Sequence, residues 1–344
     1  MRRYEDRRDC EPASRSMTPF VSILIPCFNA ERWIGQAIES ALAQTWSRKE
    51  VIVVDDGSTD GSLEVIKSFG DRIRWEAGPN RGGNNARNRL LQMAQGAWLQ
   101  YLDADDYLKP DKIASQIAAL DDEPEADILF GPLTVEWHAN GSTRVALEEI
   151  PEPHDRWILL ALWRLPQTGA PLWRKAALED AGGWSVNQPC CQEHELYLRL
   201  LLAGKRFAYH PAGGAVYRRF SGGSVSTRDP ALVRRERLKI EQRIEDHLSA
   251  VGELTRERQW AINQARFDMA RSVWNEDRSE ARAIFATIAS AETFRPAGSR
   301  APPLYRLAYT LFGFEAAERI AAVNRVVFRP SHWAIGRRLR GASG

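Results

Sequence analysis

The 344-residue sequence contains no apolar run of the roughly 18–20 residues that a membrane-spanning helix needs. Its first segment, MRRYEDRRDCEPASRSMTP, carries charges of both signs and lacks the apolar core of a secretory signal. We therefore expect residues 1–18 to form a flexible leader that is not a targeting signal.

Cysteine is scarce, and the four residues of this type are Cys10, Cys27, Cys190 and Cys191. Two are adjacent and the other two are isolated, so they form neither a disulfide framework nor a set with the spacing of zinc ligands. Reduced cysteines are typical of the cytoplasm. We therefore expect a cytoplasmic protein.

A large excess of one charge is also missing, because the formal net charge is +2. This balance argues against nucleic acid as the main partner. The charge is uneven, however: from Pro296 onwards eight arginines accompany only Glu315 and Glu318, so this basic tail carries +6 and the remainder about −4. The tail also contains apolar residues such as Leu304 and Phe312. Two interpretations stay open: peripheral contact with the inner face of a membrane, and packing against the rest of the chain.

Short apolar runs alternate with amphipathic segments in the first part of the chain. Runs rich in β-branched residues predict buried strands, and the amphipathic segments predict crossover helices. The predicted strands are Val21–Ile25, Glu50–Val54, Ile73–Trp75, Gly96–Leu102 and Asp127–Phe130, and the predicted helices are 30–45, 61–69, 84–95 and 111–120. This order predicts an α/β fold with a mostly parallel sheet and helices on both faces.

Local signals refine this pattern. Pro26 is expected to end the first strand because proline cannot donate a ladder hydrogen bond. Asp60 is a candidate N-cap for the helix 61–69, and the Gly/Ser-rich segment Tyr217–Ser226 is expected to be a loop. From Pro230 onwards the pattern is helical, with two short helices near 304–312 and 315–323 after a double proline. We place a domain boundary near Arg228, followed by a helical C-terminal region over 229–344.

Polar side chains follow the predicted strands at the points where they end. Asn29 follows the first strand, Asp55 and Asp56 follow the second, and Asp103 and Asp105 follow the fourth. Ligands of open parallel sheets bind beyond the carboxyl ends of the strands. The sequence therefore predicts a binding site at this edge.

Asp103 and Asp105 have the spacing of two residues that point the same way on an extended backbone. Two convergent carboxylates suit a hard divalent cation, Mg²⁺ or Mn²⁺, which takes its remaining oxygens from water and a diphosphate. The alternative is that these residues only form a turn or cap a helix.

Four motifs in this order resemble the family-2 inverting glycosyltransferases. They are Pro26-Cys-Phe-Asn29-Ala-Glu31, Val54-Asp55-Asp56-Gly57-Ser58, Gly78-Pro-Asn-Arg81-Gly82 with Ala86-Arg87-Asn88, and Leu102-Asp-Ala-Asp-Asp106. The resemblance covers about 19–225 and implies the GT-A fold over 19–228. It further implies that 19–125 is the nucleotide-sugar-binding half and 126–228 the acceptor half.

The resemblance also implies roles for single residues. Asp56, or less well Asp55, would bind the nucleobase or ribose, Asp103 the ribose or donor sugar, and Asp105 the metal ion. Arg87 would face the diphosphate, although Arg81 competes for that role. The remaining donor-binding residues that the motifs imply are Pro26, Asn29 and Glu31.

The segment Gln192-Glu193-His194-Glu195 resembles the place where the family carries Glu-Asp before a helix. Glu193 then takes the position of the Asp that acts as catalytic base, whereas Glu195 lies about 200° further around the helix. His194 is interpreted as a helix-surface residue. A second departure is Phe220, where many relatives carry a His near the metal or diphosphate, so the metal shell stays open.

The function that the resemblance implies is metal-dependent transfer of one sugar from a nucleoside-diphosphate sugar, with a preference for uridine, to a saccharide or lipid-linked hydroxyl. Synthesis of a surface polysaccharide or glycoconjugate is the expected context. No Gln-x-x-Arg-Trp pattern is present, so a processive synthase is not expected. The alternatives are a sugar-nucleotide nucleotidyltransferase, and a degenerate binding protein that docks through its helical region.

Overall fold

The computed structural model describes residues 18–139, 141–220 and 229–327. These residues divide into two compact units, one formed by 18–151 with 165–220 and the other by 152–164 with 229–327. Residues 152–164, which the sequence analysis assigns to the first domain, thus group with the C-terminal helices. Residues 1–17 of the predicted leader, 221–226 of the predicted loop and the arginines beyond residue 327 lie outside the described residues.

Strands and helices are numbered in chain order. The strands are β1 Val21–Cys27, β2 Lys49–Asp55, β3 Arg74–Ala77, β4 Trp98–Tyr101, β5 Tyr107–Leu108, β6 Ile128–Phe130, β7 Leu133–Ala139, β8 Ser142–Glu148, β9 Leu172–Arg174, β10 Phe207–Tyr209 and β11 Ala215–Phe220. The helices are α1 Ile34–Leu42, α2 Ser62–Ser68, α3 Gly83–Met93, α4 Lys112–Ala118, α5 Arg156–Ala161, α6 Lys175–Asp180, α7 Gln192–Leu202, α8 Pro230–Ala250, α9 Arg256–Val273, α10 Arg278–Phe285 and α11 Pro303–Val327.

A seven-stranded sheet forms the centre of the first unit, in the spatial order β10, β6, β9, β4, β1, β2, β3. All of its neighbouring strands are parallel except β9, which runs antiparallel to both β4 and β6. On one face, Ile23 and Ile25 of β1 are fully buried in the same cluster as Ile34 and Ile38 of α1. Each such side chain contributes about 1.5–3 kcal/mol on burial. The predicted mostly parallel sheet is confirmed.

Aromatic residues cover the opposite face of this sheet. Tyr101 of β4 and Trp173 of β9 each make an edge contact with Trp184, with ring centroids 5.4 and 6.4 Å apart. Trp173 also stacks on Tyr197 of α7 at 5.3 Å. The sheet therefore has helices on both faces, and α3 and α7 lie on the face that carries these aromatic rings.

Pro26 does not end the first strand, and that prediction is wrong, because β1 continues to Cys27. The backbone N–H of Leu102 donates to the carbonyl of Leu24, which places Leu24, and by alternation Pro26, towards β4. The pairing of β1 with β4 ends at Leu24 and Tyr101. Pro26 thus lies beyond the last ladder position on that side, and its missing N–H costs no hydrogen bond.

A second sheet has the order β5, β11, β7, β8. The predicted loop from Tyr217 is wrong as far as Phe220, because these residues belong to β11 and pair in parallel with β7. The charged run Tyr-Arg-Arg-Phe has no clear alternation in polarity, but Arg218 is buried there with the rings of Trp33 and Tyr107 close to its guanidinium.

The second unit is helical in its described residues and is formed by α5 and α8 to α11. Phe267 lies at the centre of its core, with edge contacts to Tyr305, Tyr309 and Phe314. Gly313 has a φ of 77° and interrupts α11, which agrees with the prediction of two short helices in this region. Within the described ranges, no helix is both long and apolar enough to cross a membrane.

Candidate active site

Three loops that follow parallel strands meet at the carboxyl edge of the large sheet. They follow β1, β2 and β4, and with the first turn of α3 they surround a cavity of about 410 Å³. The predicted site residues that line it are Pro26, Asn29, Asp56, Arg87, Asp103 and Asp105. The structure therefore brings together residues that are widely separated along the chain.

The loop after β1 is held by the loop after β2. Asn29 has a positive φ of 49°, its N–H donates to Ser58 Oγ at 2.9 Å, and its side-chain oxygen accepts the N–H of Thr59 at 2.7 Å. Asparagine tolerates this left-handed conformation better than most residues. Asn29 thus shapes the cavity wall as well as lining it.

Glu31, predicted to bind the donor, is not among the residues that line the cavity. Its Oε2 accepts the N–H of Gly61 at 3.1 Å, directly before α2. Asp60, expected to cap α2, is not its N-cap residue, because that position is Gly61. The Asp60 carboxylate instead accepts the N–H groups of Glu31 and Ser62. Both carboxylates therefore organise the start of α2.

Asp56 connects two loops through its carboxylate. Its two oxygens each accept one backbone N–H, from Arg81 and from Gly82, at 2.8 Å. Asp55 accepts the N–H of Ser58 with one oxygen, while its Oδ1 is buried and has no hydrogen-bond partner in the described structure. Asp55 and Asp56 also line an adjoining cavity of about 540 Å³.

Gly57 is required between these carboxylates and the next loop. It has a φ of 76°, and a Cβ atom there would lie 2.5 Å from the backbone nitrogen of Asn80. Only glycine permits so close an approach in this conformation.

The three aspartates after β4 have different environments. Asp103 accepts a hydrogen bond from Arg87, and Asp106 is buried, where it accepts the N–H of Arg218 and the side-chain amide of Gln167. The Asp105 carboxylate accepts no hydrogen bond from another residue that the structure describes. Burial, together with the negative charge of Asp103, raises the pKa of Asp105 to about 6.

The donor set fits a divalent cation that keeps most of its ligands outside the protein. Among the described residues, no cluster of three or more His, Cys, Asp or Glu side chains could hold a metal ion by itself. Asp105 and Asp103 both line the cavity, and the charge of Asp103 acts on the Asp105 carboxylate. Mg²⁺ and Mn²⁺ accept one or two carboxylates together with phosphate and water oxygens.

Arg87 is a buried cation that lines the cavity. Its Nη2 lies 2.9 Å from Asp103 Oδ1, its Nη1 donates to Gln192 Oε1 at 3.1 Å, and its guanidinium lies over the ring of Trp184 at 4.9 Å. Burial lowers the pKa of Arg87, but the carboxylates of Asp103 and Glu193 outweigh this effect and raise it overall. Arg87 therefore links the loop after β4 to the start of α7.

Glu193 lies in the first turn of α7 but is not among the residues that line the 410 Å³ cavity. Its Oε1 accepts a hydrogen bond from the hydroxyl of buried Thr168 at 2.6 Å, and its Oε2 accepts none from a described residue. Glu195 points to another partner and forms an ion pair with Arg199 at 2.9 Å. The two glutamates are therefore differently placed, as the helical spacing predicts.

Phe220 lies in an aromatic stack instead of offering a metal ligand. Its ring lies between those of Trp33 and His138, with centroid distances of 4.6 and 5.1 Å. Thr168 was not predicted as a site residue, because it belongs to no motif. The link from Arg87 to Gln192 was also not predicted, because only the folded chain brings these residues together.

Known proteins are similar to this chain in sequence and in fold. The family model described as "Glycosyl transferase family 2" matches residues 22–177. A chondroitin synthase of Escherichia coli is 35% identical over 113 residues, which is 32% of this chain and 16% of that protein. A hyaluronan synthase of Pasteurella multocida is 42% identical over 113 residues, 32% of this chain and 12% of that protein. The matches thus span a small part of each synthase.

Solved structures are similar over a larger part of the chain. A crystal structure of S. aureus TarS 1–349 in complex with UDP-GlcNAc has a TM-score of 0.55 at 18% identity, covering 89% of this chain and 92% of that chain. The complex of the same protein with UDP has a TM-score of 0.52 at 18% identity with the same coverage. At this identity the likeness concerns the fold, and it agrees with the expected GT-A fold.

Proposed function

Since residues 22–177 belong to glycosyl transferase family 2, we propose that the chain is an inverting glycosyltransferase that uses a divalent metal ion. It transfers one sugar from a nucleoside-diphosphate sugar to a hydroxyl of a saccharide or lipid-linked acceptor. The observation that carries this proposal is the convergence of Asp56, Arg87, Asp103 and Asp105 on one cavity. The relatives named as chondroitin and hyaluronan synthases support a role in polysaccharide or glycoconjugate synthesis.

We propose that the donor is a sugar linked to uridine diphosphate, because S. aureus TarS, which has a similar fold, was solved with UDP and with UDP-GlcNAc. The nucleoside would occupy the space beside Asp55 and Asp56, where a carboxylate oxygen can accept from a uracil N–H or a ribose hydroxyl. Pro26 and Asn29 would form the opposite wall of the neighbouring cavity.

Asp105, assisted by Asp103, would hold Mn²⁺ or Mg²⁺ against the diphosphate, where the ion would neutralise charge on the leaving group. Arg87 would keep Asp103 oriented and add a buried positive charge. The test is Asp105→Asn, which should abolish transfer and weaken Mn²⁺-dependent binding of UDP, measured by titration calorimetry. Equal UDP affinity with and without Mn²⁺ in the parent chain would contradict this assignment.

Glu193 would act as the base that removes the acceptor's proton during in-line attack. The hydroxyl of Thr168 holds Oε1 and leaves Oε2 available to the acceptor. The first turn of α7 favours a charged carboxylate because the helix dipole is positive at that end.

Glu193→Gln keeps the shape of the side chain but cannot take a proton. We expect transfer to fall by about 10²–10⁴-fold with little change in donor affinity. The matched control is Glu195→Gln, which removes the ion pair with Arg199 on the same helix and should leave transfer within a few-fold of the parent. The assay measures release of UDP from a panel of UDP-sugars with saccharide acceptors. Near-normal turnover of Glu193→Gln, together with loss of activity in Glu195→Gln, would show that the base is assigned wrongly.

A lipid-linked acceptor would be met at a membrane, and we propose that the chain contacts such a surface peripherally. The basic composition after Pro296 supports this proposal.

A further inference from the structure

The apolar residues at the start of α11 divide into a buried set and an exposed set. Tyr305, Tyr309 and Phe314 are 4–5% exposed and belong to the core of the second unit. Four others remain exposed to solvent: Leu304 by 76%, Leu307 by 57%, Leu311 by 62% and Phe312 by 64%. Packing within the second unit therefore explains three of these seven residues and leaves four unexplained.

The exposed set forms one stripe. Leu304, Leu307 and Leu311 follow each other at intervals of three and four residues, which places them on one side of a helix, and Phe312 adjoins them. We refer to these four residues as the apolar stripe. An apolar groove of about 950 Å³ continues from it, sharing Leu304 and reaching the half-exposed Ile320.

The charges beside the stripe are positive. Arg306 is exposed on the same helix, about 100° around it from Leu307, and forms no ion pair with any residue that the structure describes, and Arg300 lines the groove. The two acidic residues of this segment are already neutralised, because Glu315 pairs with Arg282 and Glu318 is buried against Arg271. A leucine-rich face on a helix that also carries exposed arginine is typical of helices that lie in the interface of an anionic bilayer.

We propose that the apolar stripe, with Arg300 and Arg306, docks the second unit on an anionic phospholipid surface. The leucines and Phe312 enter the headgroup region, and the arginines contact lipid phosphates. A second copy of the chain is a poorer occupant, because the acidic residues of this segment already pair with Arg282 and Arg271 and so offer no free partner for these arginines. This inference specifies the surface for the membrane contact proposed above and does not depend on the catalytic assignment.

The experiment is flotation of the full chain with two kinds of vesicle, one of phosphatidylcholine alone and one in which about a third of the lipid is anionic phosphatidylglycerol. We expect binding to the anionic vesicles that weakens with salt. Leu307→Glu combined with Leu311→Glu should reduce the partition coefficient at least about tenfold, because both changes place a charge in the apolar interface. Arg306→Gln should reduce it about fivefold, the equivalent of one basic residue.

The matched control is Val251→Glu, at a 51% exposed residue of the same unit. It should bind vesicles as the parent does, and unchanged melting temperatures would show that all variants fold. Equal partitioning of the parent and the double variant would overturn the proposal. So would self-association of the parent that the double variant abolishes while neither binds vesicles. No donor or acceptor is present in this assay, so its failure would leave the proposed sugar transfer untouched.

Discussion

Arg87 is expected to contribute to stability and to donor binding through separate contacts. Its guanidinium bonds the Asp103 carboxylate at 2.9 Å, donates to Gln192 at 3.1 Å and lies over Trp184, and its side chain is 10% exposed. A charge-assisted hydrogen bond contributes about 1.5–3 kcal/mol and a neutral one about 1 kcal/mol. The contact with the tryptophan ring adds about 0.5–2 kcal/mol.

Arg87→Met removes all three contacts, so we expect the free energy of unfolding to fall by about 3–5 kcal/mol, the range found when one partner of a buried ion pair is lost. Arg87→Lys keeps the charge, but its ammonium lacks the planar fork that reaches Asp103 and Gln192 together. We expect a loss of about 1–2 kcal/mol in stability and about tenfold in donor affinity.

Urea denaturation followed by tryptophan fluorescence would give the stabilities, and calorimetric titration with UDP and Mn²⁺ would give the affinities. The control is Arg89→Met on the same helix, where the pair with Glu76 is 46% and 43% exposed on its two sides. Such a surface pair contributes about 1 kcal/mol at most. The reasoning is refuted if Arg87→Met costs no more stability than Arg89→Met.

Three further predictions concern other residues. Thr168→Val should lower kcat about tenfold without changing the donor KM, because Glu193 loses the hydroxyl that orients it, and Thr168→Ser should restore most of the rate; steady-state kinetics would measure both. Asp56→Asn should cost about 1–3 kcal/mol in thermal denaturation, since an amide offers one acceptor oxygen for two backbone N–H groups. Burial raises the pKa of Glu241 to about 7 from the usual glutamate value of 4.5. Between these two pH values, Glu241 therefore stays protonated in the folded state and is ionised in the unfolded state. Stability should therefore fall by about 3 kcal/mol as the pH rises from 4.5 to 7, and Glu241→Gln should flatten this dependence in urea denaturation series.

The fold of the first unit could be predicted where a single local signal was strong. The β-branched runs of β1 and β2 are buried on both faces of the sheet, so they appear in the sequence as continuous apolar segments. Tertiary context decided the rest. β11 carries a buried Arg218, a residue type that does not indicate a buried strand in the sequence. The aromatic rings close to its guanidinium come from Trp33, directly before α1, and from Tyr107 of β5.

The site could be predicted from strand ends for its aspartates, whereas Arg87 on α3 was identified only through a motif. Asp56, Asp103 and Asp105 occupy strand ends, and the geometry of parallel sheets makes such residues converge. Thr168 lies in a connection without regular structure, and a single threonine carries no signal for its partner. The different positions of Glu193 and Glu195 could be predicted, because both lie on one helix with a known angular step.

The grouping of residues 152–164 with the later helices affects how the chain can be made and divided. Trp157, Leu159 and Leu160 of α5 are buried, and α5 packs on α8 and α9. During synthesis, α5 leaves the ribosome before either partner, so its apolar side remains uncovered while 165–220 is made. A gene shortened at codon 228 would leave that side uncovered permanently and favour aggregation. To obtain the first unit alone without aggregation, a second sequence change is therefore required, in which 152–164 is replaced by a short polar linker.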